Sequence, residues 1–292
     1  MKNKTTIVVF SAFMVAVLLA KFLYENPGSV PKCRSISIFH KSLSRKPADP
    51  PFDFVPAAFN NFCDCDKLFG NDTAAAGYKM SSEFSEKFPA FTAEVRKFTV
   101  NNFGHTGSML PMYKAIHYLA SRPNVYNVCE TGFNIGYSSF NYLTANSHSV
   151  VHSFDLGLGR STKIMASYLS QHYPKRLFVH YGNSIGVVPK FVRRHPDHRC
   201  DFILVDGGHY YKAAMADLRN MAAMANVDSG NIIVLDDYPS VKYQETGWAW
   251  ENMRRWGYVS ELMRCYFPNH KIFPNAGFVI GTVIRRPLLS TE

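Results

Sequence analysis

The sequence predicts a doubly wound α/β domain whose mostly parallel, seven-stranded sheet ends in an antiparallel hairpin. Two observations support this prediction. After about residue 78, short apolar runs alternate with amphipathic helical segments, which is the pattern of a parallel sheet covered by helices. The last two apolar runs lie too close together for a helical crossover, so they are expected to pair as a hairpin.

Five runs are predicted to be parallel strands, and two more are predicted to form the terminal hairpin. The parallel strands are Tyr126–Glu130, Val150–Asp155, Leu177–Tyr181, Phe202–Asp206 and Ile232–Asp236, and the hairpin strands are Glu261–Tyr266 and Gly277–Arg285. Helices are expected between the strands and ahead of the first one, among them Ser81–Val100, Met109–Ser121 and Tyr211–Ala225. Residues 78–292 are therefore predicted to form the folded domain.

The first 24 residues have a different character. Thr5–Ala20 contains no charge, and residues 22–24 extend the apolar run past Lys21 to about twenty residues, enough to span a bilayer. Lys2 and Lys4 precede the run, so the positive-inside rule places the N-terminus in the cytosol. Residues 1–24 are predicted to be a cytosolic tip and signal anchor, which would make the chain a single-pass type II membrane protein.

A cleaved signal peptide is the competing interpretation, and it would make the protein secreted. The cleavage site prefers small residues, but bulky Leu18 stands two positions before Ala20. Both interpretations place the remaining chain in the secretory pathway, in the Golgi or ER lumen. The glycosylation sequon at Asn71 is consistent with this route. Residues 25–77 are rich in proline and lack periodicity, so we expect an extended stem.

Composition narrows the classes of function. An apolar content of 47% excludes wholesale disorder, and six cysteines in 292 residues are too few for a disulfide scaffold. The net charge is +10, and residues 78–292 carry +7 of it, with 23 basic and 16 acidic side chains. No basic helix or interleaving of aromatic and basic residues is present, so we do not expect nucleic acid as a partner.

The end of the first predicted strand has the features of a cofactor loop. Ligands of open α/β sheets bind beyond the carboxyl ends of the strands. Gly132 and Gly136 permit a tight turn, and the helix that begins near Ser138 presents free backbone N–H groups. Asp155 ends the second strand, where a carboxylate can accept hydrogen bonds from ribose hydroxyls. Glu130 would repel a pyrophosphate, so it favours a cofactor that bears an amino or positive group.

Two further strand ends carry acidic residues. Asp206 leaves its strand together with His209, which follows two glycines, and Asp236 and Asp237 end the next parallel strand. One strand–helix–strand step separates the two ends, so they should be neighbours. Three carboxylates in one pocket repel one another unless a cation offsets their charge. A hard divalent ion such as Mg²⁺ is therefore expected there.

These motifs, taken in order, resemble those of class I S-adenosylmethionine-dependent methyltransferases. The motifs are E-T-G-F-N-x-G-Y-S, F-D-L, D-F-I-L-V-D-G-G-H-Y-Y and I-V-L-D-D-Y, and the resemblance covers about 160 of the 292 residues, from Asn124 to Arg285. The subgroup most similar to this chain contains the macrocin-type sugar O-methyltransferases. The resemblance implies a Rossmann-like fold and S-adenosylmethionine as cofactor.

The resemblance also implies roles for individual residues. It implies a cofactor site formed by Glu130, Thr131, Gly132, Phe133, Asn134, Gly136, Ser138, Asp155, Asn183 and Ser184. It implies catalytic roles for His209, as general base, and Asp206, with Asp206, Asp236 and Asp237 as metal ligands. Asn183 departs from the family, which often has an acid there. The implied reaction is metal-assisted methyl transfer to a hydroxyl of a sugar, a glycan or another diol-like acceptor.

Two alternative functions stay open at the level of sequence. The first is a catalytically inactive methyltransferase fold that serves as a luminal binding module. The second is a nicotinamide-dependent oxidoreductase, against which the missing G-x-G-x-x-G motif argues. We further expect Cys129, Cys200 and Cys265 to be buried free thiols.

Overall fold

The computed structural model describes residues 63–64, 79–98, 110–240, 242–267 and 276–289. Its strands are β1 (Cys63–Asp64), β2 (Asn127–Thr131), β3 (Val150–Asp155), β4 (Leu177–Tyr181), β5 (Phe202–Val205), β6 (Ile232–Asp236), β7 (Val259–Phe267) and β8 (Ala276–Val283). Its helices are α1 (Ser82–Phe98), α2 (Leu110–Ala120), α3 (Tyr137–Ala145), α4 (Arg160–His172), α5 (Ser184–Arg194), α6 (Tyr211–Ala222) and α7 (Gln244–Arg255). Strands and helices alternate from β2 to β7, which confirms the predicted α/β class.

All these strands belong to one sheet, in the order β1-β7-β8-β6-β5-β2-β3-β4. Strands β2 to β6 run parallel, whereas β8 is antiparallel to both β6 and β7. The predicted parallel strands and terminal hairpin are thus confirmed. The chain moves outward from β2 to β4 and then returns to β5, so the order reverses between β2 and β5. Ligands of open α/β sheets bind at such a reversal point.

The sheet contains one strand more than the sequence predicts. Cys63 and Asp64 pair in parallel with Cys265 and Tyr266 of β7, although they come from the segment predicted to be an extended stem. A strand of two residues is too short to show an alternating pattern, which explains why the sequence did not reveal it. The predicted boundaries of β3, β4 and β6 agree with the observed ones, and those of the other strands differ by at most two residues at either end.

Two hydrophobic layers enclose the sheet. Successive side chains of a strand point to opposite faces, so Phe202 and Leu204 pack on the side of α1 to α4, while Ile203 and Val205 pack on the side of α5 to α7. Burial on both faces explains why the parallel strands read as continuous apolar runs. The strands therefore hold the loops at their carboxyl ends on a rigid base.

The cysteines of the sheet are not free, contrary to the sequence-based expectation. Cys129 and Cys200 form a disulfide with a Cα–Cα distance of 5.9 Å, and both side chains are buried in the layer beneath α5 to α7. Cys265 is disulfide-bonded as well. Cys129 and Cys200 are 71 residues apart in sequence. Their proximity depends on the pairing of β2 with β5, which the spacing of the cysteines cannot reveal.

The predicted anchor at residues 1–24, most of the predicted stem and the Asn71 sequon lie outside the described residues. Within the described ranges, no helix combines the length and the apolar composition needed to cross a membrane. The anchor, the stem and the secretory route therefore stay predictions.

Candidate active site

A cavity of about 520 Å³ lies at the carboxyl ends of the parallel strands, where the order of the strands reverses. This volume is within the range of small-molecule sites. Most of the predicted site residues line it: Thr131, Gly132, Phe133, Asn134, Ser138, Asp155, Asn183, Ser184, Asp206 and His209. Glu130, Gly136, Asp236 and Asp237 lie close behind this lining rather than in it.

Gly132 makes the turn after β2 possible. Its φ is +94°, and a Cβ atom at this position would lie 1.9 Å from the backbone oxygen of Asp206. Only glycine allows this approach, because any other residue would collide with backbone that cannot yield. The Asp206 N–H in turn donates to the Thr131 carbonyl at 3.1 Å. The loops after β2 and β5 are therefore fixed against each other at the floor of the cavity.

Asp155 joins the loops after β2 and β3. One carboxylate oxygen accepts a hydrogen bond from the Asn134 N–H at 2.9 Å, and the other accepts one from the Gly157 N–H at 2.7 Å. Asn134 has a φ of 50°, a left-handed conformation that asparagine tolerates better than most residues. Each carboxylate oxygen can accept a second hydrogen bond. Asp155 is thus held in place on the cavity wall with acceptor capacity to spare.

Glu130 is fully buried beneath the cofactor loop. Its Oε1 accepts a hydrogen bond from the hydroxyl of Ser139, the third residue of α3, at 2.5 Å. Within the described part of the chain, its Oε2 has no hydrogen-bond partner. Burial raises the pKa of this carboxyl, and the neighbouring serine hydroxyls oppose the rise. In this arrangement Glu130 anchors the start of α3.

Asn183 caps α5 at the edge of the cavity. Its side-chain oxygen accepts a hydrogen bond from the Ile185 N–H at 3.1 Å. Asparagine and aspartate are both good N-cap residues, so the cap is kept although the acid common in the family is absent. Asn183 and Ser184 both line the cavity beside Gly182.

The three predicted metal ligands form one acidic cluster. Asp206, Asp236 and Asp237 are largely buried, and desolvation is the main reason that their pKa values are raised. Mutual repulsion adds to the effect at Asp206 and Asp236. At Asp237 the electrostatic effects of the neighbouring His209 and Lys242 oppose the rise of the pKa. Ionisation of these three carboxyl groups is unfavourable without a counter-charge. A cation bound among them would stabilise their ionised forms.

His209 lies between the acidic cluster and the cavity. Its Nε2 is 3.0 Å from an Asp237 oxygen and 3.8 Å from an Asp206 oxygen. The imidazole stacks on Tyr243, with ring centroids 4.3 Å apart. About 36% of the His209 side chain is exposed, so the ring is accessible from the cavity. A histidine that is oriented by a carboxylate and open to a ligand can exchange protons with it.

Residues that the sequence did not single out complete the site. Tyr243 stacks on one face of the His209 ring. It lies directly before α7 rather than at the end of a strand. Leu156, Leu158 and Tyr210 line the cavity while remaining largely exposed at its rim. Leu156 and Tyr210 fall within the quoted motifs but were given no role there, and no motif contains Leu158 or Tyr243. Only the fold brings them to the mouth of the cavity.

A comparison with protein families finds a match in the central part of the chain. Residues 129–238 match the family model described as a methyltransferase domain. This segment extends from Cys129 in β2 to Tyr238, just after β6, and so contains both the cofactor loop and the acidic cluster. No curated protein sequence matches the chain.

Solved structures share the fold at low sequence identity. An O-methyltransferase from Bacillus cereus, solved with SAH, is 15% identical and aligns over 70% of this chain and 92% of its own, with a TM-score of 0.52. The O-methyltransferase TomG from Streptomyces achromogenes, solved with SAM, is 16% identical and aligns over 71% and 92%, with a TM-score of 0.53. These similarities confirm the predicted class I fold.

Proposed function

We propose that this chain, whose central segment is an S-adenosylmethionine-dependent methyltransferase domain, transfers a methyl group to a hydroxyl with the help of a divalent metal ion. One observation carries the proposal: a nucleoside-sized cavity and a histidine-bearing acidic cluster meet at the same sheet edge. The cavity alone would suit a binding module. The cluster adds groups that can activate a hydroxyl.

The cavity fits the cofactor in the chemistry of its donors. Asp155 offers acceptor capacity to ribose hydroxyls, and the Gly132 turn brings backbone close to the ligand. Asn183 and Ser184 are polar and lie where α5 begins, beyond β4. S-adenosylmethionine, when bound, supplies a methyl group on a sulfonium centre. The chain's own contribution is to orient this group and to exclude water from it. Orientation matters most, because in-line transfer depends mainly on positioning.

The acidic cluster fits a hard divalent cation such as Mg²⁺. Asp206, Asp236 and Asp237 provide only oxygen ligands, which such ions prefer. Their raised pKa values show that ionisation is unfavourable in the metal-free site. The ion, when bound, supplies a positive charge that lowers the pKa of an acceptor hydroxyl. One Asp237 oxygen contacts His209, which leaves its other oxygen for the ion.

His209 is the residue suited to remove the hydroxyl proton. Asp237 fixes the direction of the imidazole at 3.0 Å, and Tyr243 covers one of its faces. His209 also lines the cavity, and about 36% of its side chain is exposed. A positioned general base of this kind contributes about 10²–10⁴-fold to a rate.

The acceptor we propose is a sugar, a glycan or another diol-like molecule. Two adjacent oxygens can chelate a cation that the carboxylates hold on one side only. The predicted signal anchor at residues 1–24 would place this activity in the secretory pathway, in the Golgi or ER lumen. Support for this location comes from the sequence pattern and not from the described residues.

The test is to measure S-adenosylhomocysteine formation by the purified full chain, supplied with S-adenosylmethionine, Mg²⁺ and a panel of sugars and catechols. We expect product that depends on a vicinal diol and disappears with a chelator. Equal turnover in the chelator would refute metal assistance. Tight cofactor binding without turnover on any diol would favour the inactive binding module instead.

A further inference from the structure

A second group of potential ligands lies away from the cavity, in the layer beneath α5. It consists of the Cys129–Cys200 disulfide and three imidazoles, and we call it the histidine–cysteine cluster: Cys129, Cys200, His152, His180 and His198. None of these residues lines the cavity. The methyl-transfer reaction proposed above makes no use of them.

We propose that the reduced form of this cluster is a zinc site, with Cys129, Cys200 and His198 as ligands. The ligand atoms of these three residues all lie within 4.8 Å of one another. The Cys129 Sγ is 3.6 Å from the His198 Nε2. In tetrahedral zinc sites with bonds of about 2.3 Å to sulfur and about 2.0 Å to nitrogen, such a pair lies about 3.5 Å apart.

Further imidazoles lie next to His198. The ring of His152 lies 4.6 Å from that of His198, and the His152 Nδ1 is 3.1 Å from the His180 Nε2. Imidazole nitrogen is a common zinc ligand, so the surroundings of His198 offer further donors of the same kind.

The fold keeps the two sulfur atoms together after reduction. Cys129 lies in β2, which pairs directly with β5, and Cys200 stands two residues before β5. The Asp201 N–H donates to the Asn127 carbonyl at 2.8 Å, and the Cys200 N–H donates to the Met224 carbonyl at 2.8 Å. These backbone hydrogen bonds do not involve the disulfide. The thiols are therefore pre-positioned for a metal.

The chemistry needs a reductant, and a dithiol can provide it by exchange. The S–S bond breaks, Cys129 and Cys200 gain two electrons and two protons, and the dithiol becomes a disulfide. Zinc then displaces the two thiol protons and binds the two thiolates. The oxidised chain, in which each sulfur is bonded to the other, offers no thiolate.

Cobalt(II) is the probe for this site, because thiolate ligation produces a near-ultraviolet sulfur-to-cobalt absorption that oxygen ligands do not give. The experiment titrates Co²⁺ into the full chain, either oxidised or reduced with a phosphine, and then displaces it with Zn²⁺. We expect the band only in the reduced chain. A band of equal strength in the oxidised chain would contradict the requirement for reduction.

Two variants separate this site from the other cysteines and from the acidic cluster. The double variant Cys129→Ser/Cys200→Ser keeps the other four cysteines, Cys33, Cys63, Cys65 and Cys265, and it should lose the band. His198→Gln keeps both thiols and should weaken Co²⁺ binding at least tenfold, whereas His172→Gln, on an exposed position of α4, should not. An unchanged affinity in His198→Gln, or an undiminished band in the double variant, would overturn the proposal.

Discussion

The two halves of the candidate site differ in how the charges of their polar side chains are compensated. The cofactor half comprises the loops after β2, β3 and β4, and the acidic half comprises the loops after β5 and β6. In the cofactor half, the polar side chains of the cavity wall bind backbone groups: both oxygens of Asp155 accept backbone hydrogen bonds, and Asn183 caps α5. The exception lies beneath the loop, where one oxygen of buried Glu130 has no hydrogen-bond partner among the described residues. In the acidic half, burial raises the pKa of Asp206 and Asp236, and the neighbouring carboxylate of Asp237 adds to the rise at both.

This difference indicates which kind of ligand each half is suited to bind. A loop whose hydrogen bonds are already made is pre-organised, so it can bind a neutral or weakly charged ligand without rearrangement. A buried cluster of like charges stores unfavourable energy that a cation releases. On the proposed function, the organic cofactor belongs to the first half, and the metal and the proton transfer belong to the second. Changes in one half should leave the function of the other intact.

The largest effect should come from the acidic half. His209→Ala should lower kcat by about 10²–10⁴-fold because the proton acceptor is lost. The dissociation constant for S-adenosylmethionine should stay within about twofold, since the residue belongs to the other half. Single-turnover kinetics and calorimetry measure the two quantities, and His172→Ala is the matched control. A large loss of cofactor affinity would mean that the halves are not separate.

Gly132→Ala should destabilise the fold by several kcal/mol, because the new Cβ would collide with the Asp206 backbone. Gly230 is a matched control, since it has the same φ of +94° and no atom lies within 4 Å of a Cβ built there. Gly230→Ala should therefore cost only the backbone term of about 1–2 kcal/mol. Urea unfolding measures both free energies. Equal costs would show that the close approach at Gly132 does not matter.

Asp155→Asn should weaken S-adenosylmethionine binding about tenfold, because charge-assisted hydrogen bonds are replaced by neutral ones. With saturating cofactor, kcat should be nearly unchanged. Equilibrium dialysis with labelled cofactor gives the affinity, and Asp228→Asn, at an exposed position, is the control. If kcat fell while affinity held, Asp155 would belong functionally to the acidic half.

Asp236→Asn should abolish metal-dependent turnover and yet stabilise the metal-free fold by about 1 kcal/mol. The pKa of the folded carboxyl is raised, so the folded state binds more protons than the unfolded state above pH of about 4. Wild-type stability should thus fall as pH rises through that region, and the variant should show a shallower fall. Urea unfolding in the presence of a chelator measures the free energy of unfolding of the wild type and of Asp236→Asn, with Asp197→Asn as control. The comparison shows whether the substitution is stabilising. A less stable variant would contradict the repulsion argument.

The sequence predicted those parts of the structure that depend on local pattern. Strand β5 reads as an apolar run because both of its faces are buried, and the acids at the ends of β5 and β6 could be placed together because parallel neighbours end at one edge. Gly132 was recognisable as a turn glycine. In each case, the decisive information lies within one element or one strand–helix–strand step of the chain.

What depends on the pairing of distant segments could not be predicted. The disulfide between Cys129 and Cys200 requires the order of the strands, and the stacking of Tyr243 on His209 requires the path of the chain before α7. Strand β1 is too short to carry a pattern. The burial of Glu130 behind the cofactor loop also differs from the direct ligand role that the family resemblance implies, and that role stays a prediction.

The most direct test of the central claim is to titrate the full chain with Mn²⁺, as a paramagnetic substitute for Mg²⁺, and to follow free Mn²⁺ by electron paramagnetic resonance. The division between the halves predicts a carboxylate site that is lost in Asp236→Asn and retained in Asp155→Asn. If the wild-type chain bound no Mn²⁺, or if Asp155→Asn lost the site as completely as Asp236→Asn, the assignment of metal and cofactor to separate halves would be wrong.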